Sequence, residues 1–167
     1  MKNLILVAVV CAAPIVLGTV AYVFHWSPGE PSNYGELLSP KPVAGLEALR
    51  GKWVLVVFDA AACNVYCERK LYLMRQVRRA QGKDMDRIER LWLVTEGEIR
   101  PETMPGIEDM RIRKAEGLAR AFPGNAIDHI YVVDPYGNLM LRFPRDPQPS
   151  KMIKDLQRLL RYTPRTR

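Results

Sequence analysis

Phe58–Lys70 reads FDAAACNVYCERK, with two cysteines, Cys63 and Cys67, separated by three residues. The run before it, WVLVVF (Trp53–Phe58), is apolar throughout, the pattern of a strand buried on both faces. The segment after it has helical composition and stops at Gly82. Its apolar positions, Cys63, Cys67, Leu71, Met74 and Val77, recur at steps of four, four, three and three. The spacing predicts a helix over Cys63–Gln81 that starts where the strand ends, with both thiols in its first turns.

That placement has a chemical meaning. Reactive sites in open α/β sheets gather at the carboxyl ends of the strands. A helix amino terminus offers free N–H groups and the positive end of the helix dipole, both of which favour a thiolate over a thiol. Residues i and i+4 lie on one helical face roughly 6 Å apart, a separation a disulfide accepts. Two thiolates so placed also suit one soft ion such as Cu(I). Thiol redox, Cu(I) handling and a purely structural disulfide all remain open on this pattern.

The rest of the chain surrounds this unit with alternating elements. LWLVT (Leu91–Thr95) reads as a second buried strand, and Arg113–Phe122 as a short helix ended by Pro123 and Gly124. Ile130–Val133 and Leu139–Phe143 read as strands joined by the turn-forming run DPYGN. Pro149–Tyr162 is amphipathic, with Met152, Ile153, Leu156, Leu159 and Leu160 on one side. The order β-α-β-α-β-β-α, with the first two strands parallel across a helical crossover and the last two a hairpin, is the thioredoxin-like arrangement, an α/β mixed sheet with helices on both faces. The domain is expected over 46–164.

Ahead of it, Leu4–Phe24 is 21 residues without a charge, and a helix of that length spans about 30 Å of hydrocarbon. VFHWSPGE after it offers no small-x-small cleavage site. Residues 1–26 are therefore expected to be one uncleaved transmembrane anchor. Tyr22 and Trp26 sit at belt positions, and Lys2 sets the amino terminus in the cytoplasm, which places the domain on the extracytoplasmic side of the inner (plasma) membrane. Paired cysteines persist as disulfides there. Residues 27–45, with Pro28, Pro31, Pro40 and Pro42, read as a stiff linker, and 165–167 as a basic tail. Cys11 lies within the anchor and His25 at its boundary, and neither is assigned chemistry.

The formal net charge is +7 over 167 residues. Arg75, Arg78 and Arg79 read as a solvated helix face. No nucleic-acid motif, phosphate loop or hydrolase constellation accompanies the charge, and no small-molecule substrate is evident.

The strand, the Cys-x3-Cys helix start and the later YVVDPYG (Tyr131–Gly137) resemble the Sco/SenC proteins, membrane-anchored proteins of thioredoxin fold that help to build the copper site of cytochrome c oxidase. NYGELL (Asn33–Leu38), CERKLYLMRQVRRAQGK (Cys67–Lys83) and GNLMLRFP (Gly137–Pro144) also look like a group of small anchored bacterial proteins associated with cytochrome oxidase gene clusters. The resemblance covers most of 33–162. It implies a copper subunit of the oxidase as partner, and a Cu site made of both cysteines and a distant histidine.

This chain departs from that pattern at three places. Asn64 and Glu68 stand where prolines follow the cysteines, and Ala126 stands five residues before Tyr131, where the family has its copper histidine. His129 is nearby in sequence. Counting back eight residues from Gly137 reaches it, a position that in thioredoxins faces the cysteine pair. His129 is thus either a third ligand or proton-transfer group, or an ordinary histidine at a strand edge. Met104 and Met110 are soft donors in a loop and carry no assignment. The functions left open are oxidase assembly by thiol exchange or Cu(I) transfer, general dithiol-disulfide exchange, and a non-catalytic module with a structural disulfide.

Overall fold

A computed structural model describes residues 2–23, 33–98, 107 and 109–163. The chain divides into two compact units at Ser32/Asn33. The first holds helix α1 (Lys2–Val23), whose stretch Ile5–Val23 is long and apolar enough to cross a membrane. His25, Trp26, Met104 and the tail 165–167 lie outside the described residues.

The second unit is a six-stranded sheet. In chain order its elements are β1 (Glu36–Pro42), β2 (Trp53–Asp59), α2 (Val65–Arg79), β3 (Ile88–Val94), β4 (Met110–Lys114), β5 (Tyr131–Val133), β6 (Asn138–Arg142) and α3 (Pro149–Tyr162). The spatial order is β1-β6-β5-β2-β3-β4. Strands β2, β3 and β4 are parallel, β5 is antiparallel to β2, and β6 to β5. The long apolar run forms the central strand because it must bury both faces. Trp53, Leu55 and Val57 pack with Cys67, Leu71, Met74 and Val77 of α2 and with Met152, Leu156 and Leu160 of α3. Val54, Val56 and Phe58 pack with Leu46, Leu49, Phe122 and Tyr131 on the other side. Helical segments therefore cover both faces, but α2 and α3 share one of them. The other is covered by short 3-10 turns at Glu47–Leu49 and Leu118–Ala121.

Two expectations change. The helix expected over Arg113–Phe122 is instead the end of β4 followed by a 3-10 turn. Met110 and Ile112 alternate with Arg111 and Arg113, and a period of two suits a strand that pairs with β3. Positive φ angles at Glu116 (39°) and Gly117 (80°) then exclude an α-helix through that point. The linker expected over 27–45 also contains structure, because residues 36–42 form β1, antiparallel to β6. Pro40 and Pro42 are tolerated because β1 is an edge strand, where a missing N–H need face no partner. Val43 and Leu46 beyond it are core residues. The start of β1 is pinned by buried Asp155 of α3. Its Oδ2 accepts hydrogen bonds from the backbone N–H of Tyr34 (3.0 Å) and Gly35 (2.8 Å).

Candidate functional site

Strand β2 ends at Asp59, and α2 begins six residues later at Val65. Asn64 is the N-cap. Its side-chain Oδ1 accepts a hydrogen bond from Cys67 N at 2.9 Å, which leaves Cys63 just outside the helix and Cys67 in its first turn. The two cysteines are joined in a disulfide with a Cα–Cα distance of 5.3 Å. Cys67 is fully buried against the α2–sheet core, whereas Cys63 is half-buried at its margin. A bridge between a half-buried and a fully buried cysteine has a built-in order of attack, with Cys63 the more accessible of the two. Removing the cap, as in Asn64→Ala, is expected to lower stability by about 1 kcal/mol, read as a shift in the urea midpoint of the oxidised chain at constant slope.

The loop Ala126–Asp128 lies against the start of α2. The Tyr66 hydroxyl is shared between the carbonyl oxygens of Asp128 (2.9 Å) and Arg145 (2.6 Å). Burial, with the nearby Asp128 and Asp146 carboxylates, pushes the Tyr66 phenol up, so it remains a donor. Lys70, one turn beyond Cys67 on the same helix, is 1% exposed. Its ammonium pairs with Asp59 Oδ2 at 2.8 Å, donates to Phe58 O at 3.2 Å and to Ile127 O, and lies 4.9 Å from the Tyr66 ring centre. Neither Lys70 nor Asp59 was singled out from sequence. The available signal was a lysine on the buried side of an amphipathic helix, beside Leu71.

Among the described residues, His129 forms no metal-holding group with Cys63 and Cys67. Backbone dihedrals at His129 are extended, and its ring meets Tyr131 edge-on at 5.9 Å. Tyr131 belongs to the opposite face of the sheet, and it is Ile130 and Val132 that pack with Cys67. Strand alternation thus turns His129 away from the disulfide. Its Nδ1 lies 2.8 Å from Phe143 O, which can only accept, so Nδ1 carries a proton. The residue in the family's histidine position, Ala126, packs against the Tyr131 cluster as well. Met110 lies in β4 at the far edge of the sheet. Among the described residues no group of three or more His, Cys, Asp or Glu side chains can hold a metal ion. For Cu(I) as cargo, the side chains present therefore fit a two-sulfur site in the reduced state, without a nitrogen donor.

A mixed sheet with a disulfide between a half-buried and a buried cysteine, at the junction of its central strand and first crossover helix, defines a dithiol protein of thioredoxin-like fold. The chain belongs to the family described as transmembrane-like, thioredoxin-like, C-terminal domain, which matches residues 53–163. No curated protein matches the sequence.

Among solved structures, the apo Sco1 protein of Thermus thermophilus is similar at 21% identity and a TM-score of 0.56, over 76% of this chain and 96% of that one. Yeast Sco1, solved with copper bound, is similar at 13% identity and a TM-score of 0.56, over 81% of this chain and 96% of that one. BsSco, described as carrying a disulfide switch and as a member of the Sco family of cytochrome c oxidase assembly proteins, is similar at 15% identity and a TM-score of 0.55, over 81% of this chain and 98% of that one. At these identities the likeness establishes the fold.

Proposed function

We propose that this chain is a single-pass, membrane-anchored dithiol-disulfide exchange protein that assists assembly of cytochrome c oxidase, with its domain on the extracytoplasmic side. The observation that carries the reading is the disulfide itself, with Cys63 half-buried and Cys67 fully buried at a helix start. Fold similarity to Sco proteins supports the oxidase copper subunit as the partner, and the YVVDPYG and Cys-x3-Cys motifs add to it. An apolar helix ahead of the domain supports the anchor, and a disulfide suits an oxidising compartment.

In the exchange step a partner thiolate attacks Cys63 Sγ. A mixed disulfide forms, the Cys63–Cys67 bond breaks, and its electron pair stays on Cys67 Sγ. A second partner thiol, once deprotonated, then displaces Cys63, so the partner leaves oxidised and this chain keeps two reduced sulfurs.

A second reading keeps the same two sulfurs and adds Cu(I), which the reduced pair would hold and pass on. The position of His129 on the other face favours thiol exchange over a three-ligand copper site. His129→Ala is accordingly expected to change Cu(I) affinity by less than about twofold, since the wild-type site lacks the nitrogen. A chelator-competition titration of the reduced chain checks this, and a loss as large as that of a cysteine variant would restore His129 as a ligand.

The test of the main reading is equilibration of the chain in glutathione redox buffers, followed by alkylation and mass spectrometry. A reversible transition that changes two thiols at once is expected. A bridge that glutathione leaves intact, or one that never re-forms, would mark it as purely structural.

A further inference from the structure

Resting on that reading, we infer that Lys70, held by Asp59, is a positioning residue for the cysteine pair, whose buried ammonium stabilises the thiolate released when the disulfide is reduced. The geometry begins with the helix. Cys67 and Lys70 are three residues apart on α2, so they are neighbours on one face. Long helical side chains lean back toward the amino terminus, and the Lys70 ammonium does so, reaching Asp59 and Phe58 O at the carboxyl end of β2 and the Tyr66 ring one turn back. These contacts place the cation between the strand end and the helix start, the region that also carries the disulfide.

Burial gives that charge its reach. The Lys70 side chain is 2% exposed and that of Asp59 15%. The other charged groups near the helix start are more exposed. Arg69 pairs with Asp146 and Arg145 with Asp128, each at 3.5 Å, and the side chains of Arg69, Asp146 and Arg145 are more than half exposed. Water screens those pairs and does not reach Lys70. When the Cys63–Cys67 bond breaks, the electron pair comes to rest on a sulfur that is itself buried. A bare thiolate there needs compensation beyond the helix dipole. Lys70 supplies it, and Asp59 keeps the ammonium in place by giving it a counter-ion. Through Ile127 O, Lys70 also ties the loop Ala126–Asp128 to α2.

Stabilising the reduced form makes a dithiol couple more oxidising. The experiment equilibrates the intact chain in detergent with glutathione buffers, as wild type, Lys70→Met and Lys70→Arg, and counts thiols after alkylation. Lys70→Met is expected to move the equilibrium about tenfold toward the disulfide, about 30 mV to more negative potential, and to raise the pH midpoint of alkylation of the reduced pair. Lys70→Arg keeps both close to wild type.

A folded Lys70→Met chain with an unchanged equilibrium and an unchanged midpoint overturns the inference and makes Lys70 a packing residue. If Lys70→Met does not fold, Asp59→Asn carries the test. With the cation kept and its counter-ion removed, the equilibrium moves toward the dithiol, and a shift toward the disulfide or no shift overturns the inference. Failure of the proposed function is distinguishable, because the wild type itself would then show no dithiol-disulfide equilibrium.

Discussion

Replacing either Cys63 or Cys67 by serine is expected to abolish the two-thiol dithiol-disulfide transition and to weaken Cu(I) binding by more than about a hundredfold, since loss of an outer-shell partner alone reaches that figure. The two variants differ in what they leave behind. Cys67→Ser keeps the half-buried Cys63 thiol but removes the sulfur that resolves a mixed disulfide, so it accumulates glutathione or a partner as a covalent adduct. Cys63→Ser keeps a thiol that is fully buried and stays unmodified. Intact-mass measurement after exposure to oxidised glutathione separates them, and an adduct on Cys63→Ser with none on Cys67→Ser would invert the proposed order of attack. The effect on folding is smaller. The bridge spans a sequence separation of 4, and closing so short a loop restrains the unfolded chain by about 2 kcal/mol.

The second large effect is structural. Asp155→Ala is expected to destabilise the domain by about 3 kcal/mol, because it strips the acceptor from two backbone N–H groups, each of which costs roughly 1–3 kcal/mol when left unpaired. Those groups belong to Tyr34 and Gly35, where the chain enters β1. Glycine is required at the second of them, since a Cβ at Gly35 would stand 2.5 Å from Leu141 Cδ2. A fall of about 10 °C in the midpoint of thermal unfolding is the expected reading. An unchanged midpoint would mean that β1 is dispensable and that the core domain begins at β2. Asp155→Asn, which keeps one carbonyl acceptor, should recover part of the loss.

Much of the architecture was legible because its causes are local. Six apolar residues in a row, rich in β-branched and aromatic side chains and too few for a membrane span, read as a buried strand, and Trp53–Phe58 lies in that strand. The step pattern Cys63, Cys67, Leu71, Met74, Val77 predicted α2, and the structure starts the helix two residues later because Asn64 takes the capping role. An i,i+4 cysteine pair carries its own geometry, so the bridge was foreseeable without any distant residue. The amphipathic run Pro149–Tyr162 became α3 with the same bounds.

What the local pattern could not reveal depended on partners far along the chain. β1 is proline-rich and reads as linker until β6 supplies an edge, with Glu36 opposite Arg142 and Pro42 opposite Asn138. Met110–Lys114 became a strand because β3 left an edge to cover, a fact absent from the five residues themselves. At the site, sequence counting left His129 either opposite the cysteines or an ordinary histidine at a strand edge, because the face a residue takes is decided by strand alternation through Tyr131, and one position reverses it. Lys70 looked like one more charge on a basic helix. The packing of α2 on the end of β2 buried it against Asp59, because only there could its ammonium find an anion and two carbonyl oxygens in place of water. The sequence by itself determined that two thiols meet at a helix start; the tertiary structure decided that Lys70 is buried against Asp59 and that His129 packs against Tyr131, since burial and facing come from surfaces that only the folded sheet brings together.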